Sequence, residues 1–129
     1  MNTDDRSAAI TIAGQEYKLI LTTRATKEIG KRYGGLQNLG DKLMKSENFE
    51  MALDEIIWLL TLLANQSILI YNLQNPNDKK ALLAEEYLEL LTSPYDLASY
   101  KDAIMEAMSM GTMRYVKSEE TEGKNAQVG

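Results

Sequence analysis

The chain has neither cysteine nor histidine among its 129 residues. Without cysteine there is no disulfide, no thiolate zinc site and no cysteine nucleophile. Without histidine the commonest general base and the commonest transition-metal ligand are both missing. An enzyme built on this chain has only carboxylates, Lys, Tyr and Ser to work with. No nucleophile, base and oxyanion donor can be assembled from that set, so neither catalysis nor a cofactor is expected. Positive charge is also short, with 14 Lys and Arg against 19 Asp and Glu and a net charge of −5. Nucleic-acid binders draw most of their affinity from Lys and Arg on phosphate. The acidic balance therefore disfavours a nucleic-acid partner, and with it a dimeric helical regulator. The polar start, with Asp4 and Asp5, lacks the basic-then-apolar order of a signal peptide. A cytoplasmic protein is expected, with residues 1–8 flexible.

Hydrophobic residues make up 44% and charged residues 26% of the chain, the composition of one soluble globular domain large enough to bury a core. Its centre is the stretch 49–73, FEMALDEIIWLLTLLANQSILIYNL. As a helix it is apolar around nearly its whole circumference and must be covered on several sides. At ~100° per residue, Glu50, Asp54, Thr61, Asn65 and Asn72 form one polar stripe roughly 60° wide, with Trp58 at its edge and Ile68 inside it. That stripe is expected to face water or a partner. The most apolar part, residues 56–71, falls short of the ~20 residues of a bilayer crossing and is interrupted by Thr61, Asn65, Gln66 and Ser67, so no membrane span is expected.

Two short strands are expected ahead of it, residues 10–13 and 16–22, with Gly14-Gln15 as the turn. A lone hairpin is marginal in water, so its apolar face must lie on helices. Its free edge, with Tyr17, Leu19 and Leu21, is a candidate for assembly by strand addition. Thr22 or Thr23 caps a first helix carrying Ala25, Ile29 and Tyr33, which Gly34-Gly35 ends. Leu36, Leu39 and Leu43 mark a second helix. Ser46 or Asn48 can cap the central helix, which stops before the Asn75-Pro76-Asn77-Asp78 turn.

A fourth helix is expected over 79–91, burying Leu83, Tyr87, Leu90 and Leu91. The fifth has the clearest start, Ser93-Pro94-Tyr95-Asp96, with an N-cap Ser, Pro at the first helical position and an acidic residue at the third. Its stripe is Leu97, Tyr100, Ile104, Met108, Gly111 and Tyr115, and it is expected to fray near Val116, leaving 117–129 as a disordered acidic tail. The fold class is mostly α: an N-terminal β-hairpin and about five helices around the central one, in a single domain over 9–116.

Glu85, Glu86 and Glu89 lack the loop pattern of a calcium site and read as a solvated helix face, so no metal is expected. Gly34-Gly35 lacks the spacing of a phosphate-binding loop. Met105, Met108, Met110 and Met113 cannot all share one helical stripe. They read equally well as core filler and as an adaptable surface for an apolar helical partner. Trp58, at the border of the polar stripe, is either a core residue with a wet edge or an interface anchor. These five are the candidate partner-binding residues.

The order of elements resembles a known family. The hairpin ending in Leu19-Ile20-Leu21-Thr22-Thr23-Arg24-Ala25, then Glu28, Tyr33-Gly34-Gly35-Leu36 and Leu39, is similar to the opening of tail assembly chaperones of long-tailed bacteriophages. The resemblance covers about the first 75 residues. It implies a non-enzymatic protein of the host bacterial cytoplasm that binds the helical tape measure protein, keeps it soluble and helps tail tube subunits assemble around it. It also implies a longer form made by ribosomal frameshifting. Gly123-Lys124-Asn125 can be encoded with a slippery run of adenines, which makes it the expected frameshift site. The alternative is a structural tail or head-to-tail connector component that stays in the virion. Partners under the first reading are the tape measure protein, the tail tube protein, the longer form and a second copy of the chain.

Overall fold

The computed structural model describes the backbone of residues 7–45 and 49–128, and side chains for 7–39, 41–42 and 53–112. Seven elements follow in order: β1 (Ser7–Ile12), β2 (Gln15–Ile20), α1 (Thr23–Tyr33), α2 (Leu36–Lys45), α3 (Phe49–Gln74), α4 (Glu85–Leu91) and α5 (Pro94–Val128). The protein is mostly α with an N-terminal antiparallel hairpin, as the periodicity predicts.

The hairpin begins at Ser7, three residues earlier than expected, and turns at Ala13-Gly14 rather than Gly14-Gln15. Both turn residues have positive φ, 52° and 81°, the pattern of a two-residue turn whose twist matches that of the strands. Gln15 thereby joins β2 opposite Ile12, and Ile10 faces Tyr17 as Ala8 faces Leu19. Alternation places all five apolar members of these pairs on one buried face. That face lies on α3 and α5, which pack against each other beneath it. Tyr100 of α5 fastens the layer by donating its hydroxyl hydrogen to the Thr11 carbonyl at 2.6 Å.

α1 starts where expected. The Thr22 hydroxyl accepts from the Ala25 N–H at 3.0 Å and itself donates to Gln66 Oε1 of α3. Gln66 is buried, and its amide nitrogen donates to the Leu62 carbonyl, so the helix cap also anchors α1 on α3. Gly34, at φ 86°, closes the helix by donating to the Gly30 carbonyl. The Ser46 or Asn48 cap expected for α3 lies outside the described residues.

At the start of α5 the expected cap is present in reciprocal form. The Asp96 N–H donates to Ser93 Oγ at 3.2 Å and the Ser93 N–H donates to Asp96 Oδ2 at 3.0 Å, an arrangement worth ~1 kcal/mol. The far end differs from expectation, since the α5 backbone is helical through Val128 rather than ending near Val116. Lys, Glu, Ala and Gln in 117–128 are good helix formers, and polar composition does not separate a solvated helix from coil.

The core joins both strands to α1, α3 and α5, with Leu39 of α2 and Leu88 of α4 closing the sides. Leu59, Leu60, Leu63 and Ala64 of α3 are fully buried within protein. By length and composition, however, Leu53–Gln74 is apolar enough to cross a membrane, at 22 residues and mean hydropathy 1.6. Shortness, counted over 56–71, is therefore no argument against a span.

Candidate functional site

The polar stripe of α3 does not face water along its length. Two of its members, Asn65 and Asn72, hold the segment 79–84, which runs extended and antiparallel across the helix. Asn65 Nδ2 donates to the Leu83 carbonyl at 2.9 Å while its Oδ1 accepts from the Leu83 N–H at 2.7 Å. Asn72 repeats the arrangement on Lys80, again at 2.9 and 2.7 Å. The spacing explains the fit. Seven residues of helix rise ~10.5 Å, and three residues of extended chain span ~10 Å. Each carboxamide therefore meets one whole backbone donor–acceptor pair, as a neighbouring strand would.

This strap overturns the expected helix over 79–91, which starts only at Glu85. Lys80, Ala81, Leu82 and Leu83 favour helix locally, but two side-chain partners offered to an extended backbone outweigh a preference of tenths of a kcal/mol per residue (~0.7 at most). The buried side of α4 also differs from expectation. Leu88 is fully buried, whereas Leu90 and Leu91, expected in the core, are exposed. Along the strap every side chain is exposed except the half-buried Leu83. Its attachment is therefore made chiefly through the backbone. Hydrogen bonds contribute about 1 kcal/mol each net, and fixing a residue's backbone costs about 1–2 kcal/mol, so little net stability holds the strap down.

Between the strap and β2 lies an open groove of about 830 Å³. Gln15, Glu16, Tyr17 and Lys18 form one wall, residues 80–84 and Tyr87 the other, and Ser67, Ile68 and Tyr71 the floor. Tyr71 is held by a hydrogen bond to Asp78 and lies under the Lys80 ammonium, 4.4 Å from the ring centre. Across the groove Tyr17 hydrogen-bonds Tyr87. Burial, and then that bond, push the Tyr17 phenol up to about 12. Because the folded value lies above the ordinary 10.0, the stabilisation is complete below pH 10 and is lost as pH rises from about 10 to 12. Phenolate absorbance should show a late step among the seven tyrosines. The Tyr71 and Tyr100 phenols are also raised, so Tyr17→Phe should reduce that step by one phenol and flatten the alkaline loss of stability.

Trp58 is half-buried at the junction of α1 and α3. The Arg32 guanidinium lies 4.4 Å over its ring and Tyr33 meets it edge-on at 6.0 Å. Glu55 accepts from Arg32 Nε at 3.3 Å, from Lys42 Nζ at 3.2 Å and from the Tyr33 hydroxyl. The outer face of Trp58 is thus capped by an intramolecular cation, and a partner would have to displace Arg32 to reach it.

The methionines divide. Met108 is in the core, Met105 and Met110 are half-buried, and the Met113 side chain lies outside the described residues. The strand-edge candidates Tyr17, Leu19 and Leu21 are all buried, Leu19 completely. Their side chains belong to the core, so any strand addition at this edge would run through the backbone.

Besides Leu73 at the end of α3 and Leu82 on the strap, the exposed large apolar side chains among the described residues lie where the sequence pattern did not place them, at the corner between α4 and α5. Leu90 is 75%, Leu91 46% and Tyr95 86% exposed. Beside them a smaller groove, about 200 Å³, is lined by Leu53, Ile57, Pro94 and Leu97, with Asp54 and Glu89 as its acidic members. A seven-residue helix carrying Tyr87, Leu88, Leu90 and Leu91 has more apolar residues than one face can bury, and that excess is a signal the sequence does contain. Compared with protein-family models, curated proteins and solved structures, the chain matches none.

Proposed function

We propose that this protein is a non-enzymatic assembly chaperone of a long-tailed bacteriophage, holding the helical tape measure protein in soluble form in the host cytoplasm before the tail tube closes around it. The observation that carries the reading is the exposed apolar corner of Leu90, Leu91 and Tyr95 beside an open groove with acidic side chains. An exposed apolar patch of this kind suits the apolar face of a partner helix, and acidic neighbours suit basic residues on its flank. The net charge of −5 keeps such a carrier soluble while that surface is open. The half-buried Met105 and Met110 offer adaptable surface of the same kind. The resemblance of the first 75 residues supplies the identity of the partner.

Co-expression with the tape measure protein of the same genome tests the reading. The tape measure protein should stay soluble and co-purify with the chain. The double variant Leu90→Ser, Tyr95→Ser should lose at least about tenfold in affinity, as expected for removing two central apolar anchors, with its melting temperature unchanged because both side chains are exposed. Loss of solubilisation without loss of fold supports the corner as the contact. Wild-type binding to the tape measure protein that the variant leaves intact would remove the corner from the site. Abundant peptides of this chain in purified virions would instead mark a structural tail or connector component.

A further inference from the structure

We propose that residues 79–84 form a releasable strap, which opens as a unit while the rest of the domain stays folded and so joins the large groove to the polar stripe of α3. Three observations carry this. The strap is hydrogen-bonded to α3 at two points, Asn65 on Leu83 and Asn72 on Lys80, both through its backbone, and its charged contact, the Lys80 ammonium over the Tyr71 ring, is exposed. Its side chains are exposed apart from Leu83, so opening uncovers little core. The ends are the third. On one side is the hydrogen-bonded Asn75–Asp78 turn, and on the other Ala84, the residue before α4, makes no side-chain cap hydrogen bond. α4 itself stays anchored by the fully buried Leu88.

Release would expose the two carboxamides whose hydrogen bonds it breaks. It would also lower one wall of the groove over Ile68 and Tyr71. Segments with few buried apolar contacts open by local rather than global unfolding. The strap is independent of the partner proposed for the α4–α5 corner, and its test does not require one.

Native-state hydrogen exchange on the unmodified chain measures the opening directly. The Lys80 and Leu83 amides, which donate to Asn72 and Asn65, should exchange at least about a hundredfold faster than those of Leu59, Leu60 and Leu63 in α3, the signature of a sub-global opening. Trypsin should cut first after Lys79 or Lys80. The double variant Asn65→Leu, Asn72→Leu should speed that cleavage roughly tenfold or more by removing four hydrogen bonds, with little change at Lys101 in α5. Exchange of Lys80 and Leu83 at the same rate as the α3 core would overturn the proposal, because the strap would then open only with global unfolding. If the double variant fails to fold, exchange on the unmodified chain still decides.

Discussion

Leu19→Ala should destabilise the domain by about 2–5 kcal/mol, the range for truncating a fully buried leucine in a core that cannot collapse onto the gap. Leu19 has no exposed surface and sits opposite Ala8 on the hairpin face that lies against α3 and α5. Its small partner across the ladder leaves nothing to fill the cavity from that side. For a domain whose total stability is of order 5–15 kcal/mol, this single change removes a large share. Urea unfolding followed by circular dichroism should show a lower midpoint with an unchanged slope.

The same substitution, glycine to alanine, should have opposite effects in two helices. Gly30 in α1 has open space where a Cβ would stand, so Gly30→Ala should stabilise by up to about 1 kcal/mol through helix propensity. Gly111 in α5 does not. A Cβ there would lie 2.9 Å from both Cβ and Cδ2 of Leu21, just past the end of β2. Cδ2 can swing aside by a rotamer change, but the Leu21 Cβ is fixed to its backbone, so α5 must move away from the hairpin. Overpacking of this kind costs about 1–3 kcal/mol, which outweighs the propensity gain, and Gly111→Val should cost more still. Thermal melts of the three variants against the parent check both signs. Equal stabilisation by Gly30→Ala and Gly111→Ala would show that α5 and β2 do not pack this closely.

Gly111 also shows how far a pattern can be read. Its place in the stripe with Ile104 and Met108 follows from spacing, so the sequence assigns it to the buried face. Only the approach of Leu21 explains why that position holds no side chain. Trp58 is a similar case. Periodicity puts it at the border of the polar stripe, and the fold adds the Arg32 guanidinium over its ring and the Glu55 carboxylate that holds Arg32 in place.

What the sequence determined by itself is what depends on neighbours in the chain. The hairpin, the Thr22 and Ser93 caps, the Gly34 stop, the long apolar helix and the mostly α class all rest on local sterics, hydrogen bonding within a few residues, or a period of 2 or 3.6. What only the tertiary structure decided depends on residues distant in sequence. Residues 79–84 favour helix when read alone and are extended because Asn65 and Asn72, 18 and 8 positions earlier, complete their backbone hydrogen bonds. That choice moved the start of α4 by six residues, and the packing of Leu88 into the core leaves Leu90 and Leu91 outward, in the exposed corner on which the proposed function rests. A side chain's exposure depends on which face of its helix meets the core, and for α4 that is decided by the core around Leu88, not by its own seven residues.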